Sequence, residues 1–328
     1  MKYGAPRMAG NAPRSAPDRR AIRVIAALLT ALATTAFGQE LYKYQDEDGN
    51  WIYSDKRPAD VEVVESRALE KSEPDSIVDI DHSYDNEKVT LTARNDFFAP
   101  VEVRVEFTTV NDLVLPDNDH PLTWVLPPRS ETVLLQLPIA ERAVQPTLEY
   151  QYRYMPGDPR AAHSASEPYR APFAISTGHR ITQAFPHGET HRTPDSFYAV
   201  DFAMPIGTDV VAARDGVVFA IASTNFRSGL NPEIDGPAAN VVRILHDDGT
   251  YAIYAHLNTN SIRVKPGDVV KRGQYIADSG NTGFSSGPHL HFAVVRNVGL
   301  QILSVPITFL GPNSDSIEPA SGNLLTAY

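Results

Sequence analysis

Apolar and polar positions alternate with period two over much of the chain, and helical periodicity is nowhere sustained. Residues 89–93 (VTLTA), 101–107 (VEVRVEF), 133–137 (VLLQL) and 148–154 (LEYQYRY) each place every second side chain on one face, and Pro, Asn and Asp turns separate them. Several short strands at such spacing predict a β-sandwich of immunoglobulin-like kind over 86–174. A second series follows at 210–213, 216–221, 240–245, 251–257 and 289–295, with a turn-and-strand segment at 269–279. It predicts an antiparallel β-sheet domain over 175–310. The Pro/Gly-rich stretch 224–239 (TNFRSGLNPEIDGPAA) is expected as a loop that walls a groove.

Ahead of these, 39–60 pairs two aromatic runs across an acidic Asp-Gly turn, which predicts a small β-hairpin module. It resembles a module found near the N-terminus of many secreted bacterial proteins. Its acids lack the spacing of a calcium loop and are expected to be solvated. Residues 61–85 are charged and read as a linker with at most a brief helix, and 311–328 as a loose tail. All three parts of the chain are therefore expected to be all-β.

Charge divides the chain unevenly. Arg19, Arg20 and Arg23 precede the apolar run 24–37, which ends in small residues at 36–38. That order reads as a secretory signal peptide over 1–38, too short to span a bilayer comfortably, with a retained anchor as the alternative. These residues carry +5 of the chain's −11, which leaves −16 for the remainder. An acidic mature protein disfavours nucleic acid as a partner, as well as tight binding to anionic membranes. The expected location is exported, periplasmic or extracellular. No cysteine is present, so thiolate nucleophiles and thiolate ligands are excluded and any metal must use His, Asp or Glu.

The chemistry gathers near the end of the chain. In Gly287-Pro-His289-Leu-His291-Phe292, strand geometry puts both imidazoles on one face, about 7 Å apart. Upstream, Asp201 closes an apolar run, His191 precedes it by ten residues, and 251–257 places Tyr254 and His256 on one face of another strand. A catalytic zinc site needs about three protein ligands and one open position. A strand-borne H-x-H pair also suits cupins, but those place a Glu a few residues later and 292–297 contains no acid.

The blocks 201–216 (DFAMPIGTDVVAARDG), 254–257 (YAHL), 264–273 (VKPGDVVKRG) and 280–292 (GNTGFSSGPHLHF) occur in an order that resembles the lysostaphin/LytM-type zinc metallopeptidases. The likeness covers roughly the last 150 residues and implies a zinc (Zn2+) peptidase acting on the peptide stems or cross-bridges of bacterial peptidoglycan. By the same resemblance, Asp201 and His291 are metal ligands, His256 and His289 are catalytic, and Asn240 orients substrate. The commonest pattern sets the first ligand four residues before the Asp, where this chain has Phe197. His191 is the expected ligand, as though a loop had been inserted, with His187 and His179 as alternatives. His120 and His163 are expected to be surface histidines, Asp215 a turn acid, and the stripe Tyr150, Tyr152, Tyr154 packing rather than a glycan platform. A relative that has lost its metal, and binds the wall or activates another hydrolase, is the rival reading.

Overall fold

The structure is a computed structural model that describes residues 7–9, 40–45, 51–54, 65–68, 77–116, 122–140 and 146–328. It separates into two compact units, one of residues 11–74 and one holding the rest. In the smaller unit, Trp51–Ser54 and Glu65–Ala68 flank Glu40–Gln45 in a three-stranded antiparallel sheet. The hairpin is as expected. Its third strand falls in the segment read as a linker, because ESRA pairs through its backbone and carries no apolar alternation.

The linker expectation fails again at Val78–Tyr84, an edge strand of the sandwich. Here the signal was present: Val78 and Ile80 alternate with Asp79 and Asp81, and both apolar side chains are buried. Val78–Tyr84, Lys88–Asn95 and Ser130–Pro138 form one sheet. Thr147–Pro156, Val101–Asn111 and Leu122–Leu126 form the other, with Arg7–Ala9 paired along its edge at Tyr150–Tyr152. That short strand lies within the stretch read as a signal peptide, whose apolar run falls outside the described residues. Tyr150 and Tyr152 are core residues, and their hydroxyls donate to the carbonyls of Ile80 and Val78 at 2.7 and 3.3 Å.

The C-terminal domain is built on one antiparallel sheet in the order Val269–Val270, Gly216–Ala222, Val241–Leu245, Tyr251–Ala255, His289–Asn297, Val200–Ala203, Gly178–Gln183, Leu324–Thr326, with Ile302–Ser304 added beside His289–Asn297. A two-stranded sheet, Asp209–Val211 with Tyr275–Asp278, covers it. The expected loose tail is part of this fold. Leu324–Thr326 pairs with Gly178–Arg180, Ser316–Ile317 pairs with Phe309–Leu310, and Leu325 and Ala327 are buried. Only Leu325 and Ala327 are buried in 324–327, so the apolar signal was too short to read.

The long strand His289–Asn297 serves both faces of the sheet. Leu290, Phe292 and Val294 enter a core with Phe173, Phe202, Tyr254 and Phe309. Ala293 and Val295, on the opposite face, join Tyr251 and Phe219 in a core shared with the sandwich, where Phe97 meets Phe219 at 6.5 Å between ring centroids. Asn297 ties the two together, since its amide donates to Glu102 at 2.7 Å and to the Gly157 carbonyl at 2.9 Å. By alternation, His289 and His291 lie on the face that the sandwich covers farther along.

Candidate metal centre

Strand register assembles the site. His291 pairs directly with Asp201 on one side and with Ala255 on the other. Directly opposed residues share a face, so Asp201 and His291 meet and His256 follows one residue beyond. Tyr254 and His256 do not share a face as the sequence alternation suggested. The strand ends at Ala255, and His256 adopts φ +62°, which turns its ring toward His289 at 4.5 Å and His291 at 5.9 Å between centroids. Tyr254 stays fully buried on the opposite face, where its hydroxyl accepts the Ala213 N–H at 2.7 Å. A positive φ at a residue other than glycine is uncommon and here aims the imidazole at His289 and His291.

Asp201 is the hub. His191 Nε2 lies 3.2 Å and His291 Nδ1 2.9 Å from its Oδ1, and His289 Nε2 lies 3.8 Å from its Oδ2. One ligand atom from each of His191, Asp201 and His291 lies within 4.8 Å of the others, which makes a His/Asp/His triad able to hold a metal ion. Ligands about 2.0–2.1 Å from a tetrahedral zinc stand roughly 3.3 Å apart, close to the two separations from Oδ1. Burial alone would raise the Asp201 pKa, but hydrogen bonds with His191 and His291 outweigh it and hold the carboxyl well below the usual range. Asp201 is therefore ionised, as a ligand must be.

Three of the four imidazoles are oriented from behind by a backbone carbonyl. His191 Nδ1 donates to the Ala199 carbonyl at 3.1 Å, which leaves Nε2 facing Asp201. His256 Nδ1 donates to the Thr282 carbonyl at 2.7 Å, and His289 Nδ1 to the Gly287 carbonyl at 2.8 Å. Carbonyl oxygens only accept, so His256 and His289 both carry a proton on Nδ1, which turns Nε2 of each ring away from its carbonyl. Burial, reinforced by His289 and His291, pushes His256 down to about 3. Thr282 is carried on a tight approach between loops, since a Cβ on Gly283 (φ +88°) would stand 2.6 Å from the Ala239 Cβ.

His187 is exposed and His179 packs against Phe173 in the core, and neither belongs to the triad. Asn240, expected to orient substrate, is fully buried. Its amide donates to the Asn225 and Leu257 carbonyls at 2.6 and 3.3 Å, and its Oδ1 accepts the Asn225 N–H at 2.9 Å. It staples the 224–239 loop and leaves no atom for substrate. That loop contains the short helix Pro232–Asp235, and buried Asp235 meets Arg227 at 2.8 Å. Sequence reasoning missed Gln183, whose Nε2 donates to Asp201 Oδ2 at 2.7 Å and whose Oε1 accepts the Thr190 N–H at 2.9 Å. Nothing in the sequence pattern marks it, because the contact depends on pairing between separate strands.

Comparison with known proteins places these residues in context. Residues 196–302 match the model of peptidase family M23, and residues 28–76 match a domain of unknown function, DUF4124. The M23 match begins five residues after His191, whose place in the site rests on geometry. Glycyl-glycine endopeptidase ALE-1 of Staphylococcus capitis is 37% identical over 137 residues, 40% of this chain and 35% of that protein. Peptidoglycan DD-endopeptidase ShyA of Vibrio cholerae is 37% identical over 121 residues, 36% and 25% of the two chains. Lysostaphin of Staphylococcus staphylolyticus is 36% identical over 115 residues, 34% and 22%. The alignments thus span about a third or less of these relatives' lengths. A solved structure of lysostaphin from Staphylococcus simulans shares 31% identity over 40% of this chain and 48% of that one, with a TM-score of 0.30.

Proposed function

Given that the C-terminal domain is a peptidase family M23 domain, we propose that this chain is an exported, zinc-dependent endopeptidase that hydrolyses peptide cross-links of bacterial peptidoglycan. The observation that carries this reading is the convergence of His191, Asp201 and His291 beside two further histidines, His256 and His289, each held through Nδ1 by a backbone carbonyl. A zinc ion held by His191 Nε2, the Asp201 carboxylate and His291 Nδ1 would supply a water of pKa near 7 and a Lewis acid for the scissile carbonyl.

The remaining work falls to this chain's own side chains. His289, whose Nδ1 proton is held by the Gly287 carbonyl, accepts the proton of the attacking water on Nε2 and returns it to the leaving amine. His256, kept neutral by its burial, accepts a hydrogen bond from the same water and fixes its direction. Gln183 holds the second oxygen of Asp201 and so keeps the first directed at the two ligand histidines.

The peptidoglycan substrate is supported by the relatives named above, and their names differ on the bond: glycyl-glycine in one, a DD bond in another. Export follows from the wall substrate together with the basic and apolar N-terminal segment. The test is incubation of the full chain with purified cell wall, with and without chelator, and chemical identification of the new amine ends. New amines that vanish with chelator and return with zinc are expected. A wall that gains no amine ends in either arm removes the peptidase reading and raises the binding-only alternative.

A further inference from the structure

A cavity of about 640 Å³ opens beside the segment that carries His191. Its walls come from three parts of the C-terminal domain: Phe185 and Tyr198 from the two ends of that segment, Glu167 from the connection to the sandwich, and Thr308, Ser316 and Glu318 from the C-terminal strands. Phe185 and Tyr198 meet at 4.9 Å between centroids with their planes 51° apart, a V-shaped aromatic corner. Phe185 is 44% exposed. Glu318 is exposed and has no hydrogen bond or ion pair among the described residues, whereas Glu167 is held by Arg272 at 2.8 Å. The hydroxyls of Thr308 and Ser316 also have no partner among the described residues.

This lining selects by exclusion. Two carboxylates and no lysine or arginine at the wall disfavour an anion, and burial holds the histidine there, His163, below its usual pKa, which rules against the carboxylate-bearing ends of peptide stems. An aromatic corner faced by unpartnered hydroxyls and a free carboxylate suits a neutral ring with apolar C–H faces and many O–H and N–H groups around its edge. The volume lies within the usual range for ligand sites, about 300–1,000 Å³. Position adds the second constraint: Tyr198 stands three residues before Asp201, and Phe185 two residues after Gln183.

We propose that this cavity is a subsite for N-acetylated hexosamine units, so that a glycan strand is held next to the peptide being cut. The wall as the source of that glycan, and with it the N-acetyl group, rests on the function proposed above, whereas the choice of a neutral polyhydroxylated ring rests on the cavity alone. The aromatic corner stacks on the ring and Glu318 accepts from its hydroxyl and amide protons. Because Phe185 and Tyr198 bracket the loop of the first ligand, a bound sugar also holds that loop in place.

The test uses the full chain with chelator present, so that hydrolysis plays no part, and the trimer of N-acetylglucosamine as probe. Saturation-transfer NMR is expected to show contact at the N-acetyl methyl groups. Phe185→Ala and Glu318→Ala, both at exposed positions and checked for folding by circular dichroism, are each expected to weaken binding about tenfold, as for loss of a hydrogen bond to a charged group or an aromatic contact. Absence of transfer, equal binding by both folded variants, or uptake of lysinamide in place of the trimer overturns the proposal. Wall cleavage measured separately tells the two readings apart. A protein that cuts wall without binding the trimer loses this subsite and keeps its function, and one that binds the trimer without cutting keeps the subsite.

Discussion

The Nδ1 proton of His191 is donated to the Ala199 carbonyl, eight residues farther on, at 3.1 Å. The bond closes a loop tightened by two internal turns, Ser196 N–H to Thr193 O at 3.0 Å and Ala199 N–H to Ser196 O at 2.8 Å. A side chain ten residues from Asp201 in sequence is thereby returned to hydrogen-bonding distance of its carboxylate. The residues between them lengthen the path along the chain without separating the two side chains.

His191→Ala is therefore expected to cost zinc as severely as Asp201→Ala, whereas His187→Ala leaves about one zinc per chain. Metal analysis after dialysis decides it. Full zinc in His191→Ala would transfer the role of third ligand to another residue.

Gln183→Leu is expected to keep the fold and weaken zinc about 10- to 100-fold, because Asp201 Oδ2 loses its donor at 2.7 Å. Competition with a coloured chelator measures the affinity. An unchanged constant would mean that the carboxylate is oriented by the histidines alone.

His289→Ala is expected to retain zinc and lose about 10² to 10⁴ in turnover, the usual worth of a positioned acid or base. His256→Ala should lose turnover without losing metal as well. Equal turnover at equal zinc content would remove the proton-transfer role from the residue changed.

His246 provides a pH prediction away from the metal. Its ring is buried, Nδ1 donates to the Asp215 carbonyl at 2.8 Å, and Nε2 has no partner. Burial pushes its pKa down to about 4, with Arg214 lowering it and Asp247 and Asp248 opposing. Below about pH 6.5 the unfolded chain takes up a proton that the folded chain refuses, so stability falls as pH drops from 6.5 toward 4, by up to ~3 kcal/mol. Melting temperatures across that range should show a smaller fall in His246→Asn than in the parent. Parallel curves would contradict it.

The sequence made the central strands legible because each buries at least one face. Alternation at 289–295 and 251–255 located the site strands, and the order of the blocks identified Asp201 and His291 as partners. What stayed hidden depends on which strands become neighbours. Glu65–Ala68 and Leu324–Thr326 are held by backbone pairing with little apolar signal of their own. Asn240 opens a strand as a substrate-facing residue would, yet the loop at Asn225 folds over and occupies it. The turn at His256 was illegible because a single positive φ overrides the alternation that its neighbours obey.

The strand His289–Asn297 belongs to the His/Asp/His cluster at one end and to the buttress shared with the sandwich at the other. Local opening of the site would therefore have to disturb two cores at once. Backbone amides of this strand should rank among the slowest in the molecule to exchange with solvent deuterium, at rates set by whole-unit unfolding rather than by fraying. Heating should then abolish activity at the melting transition and not before it, and truncating a sandwich core residue such as Val103 should shorten the working life of histidines it never touches.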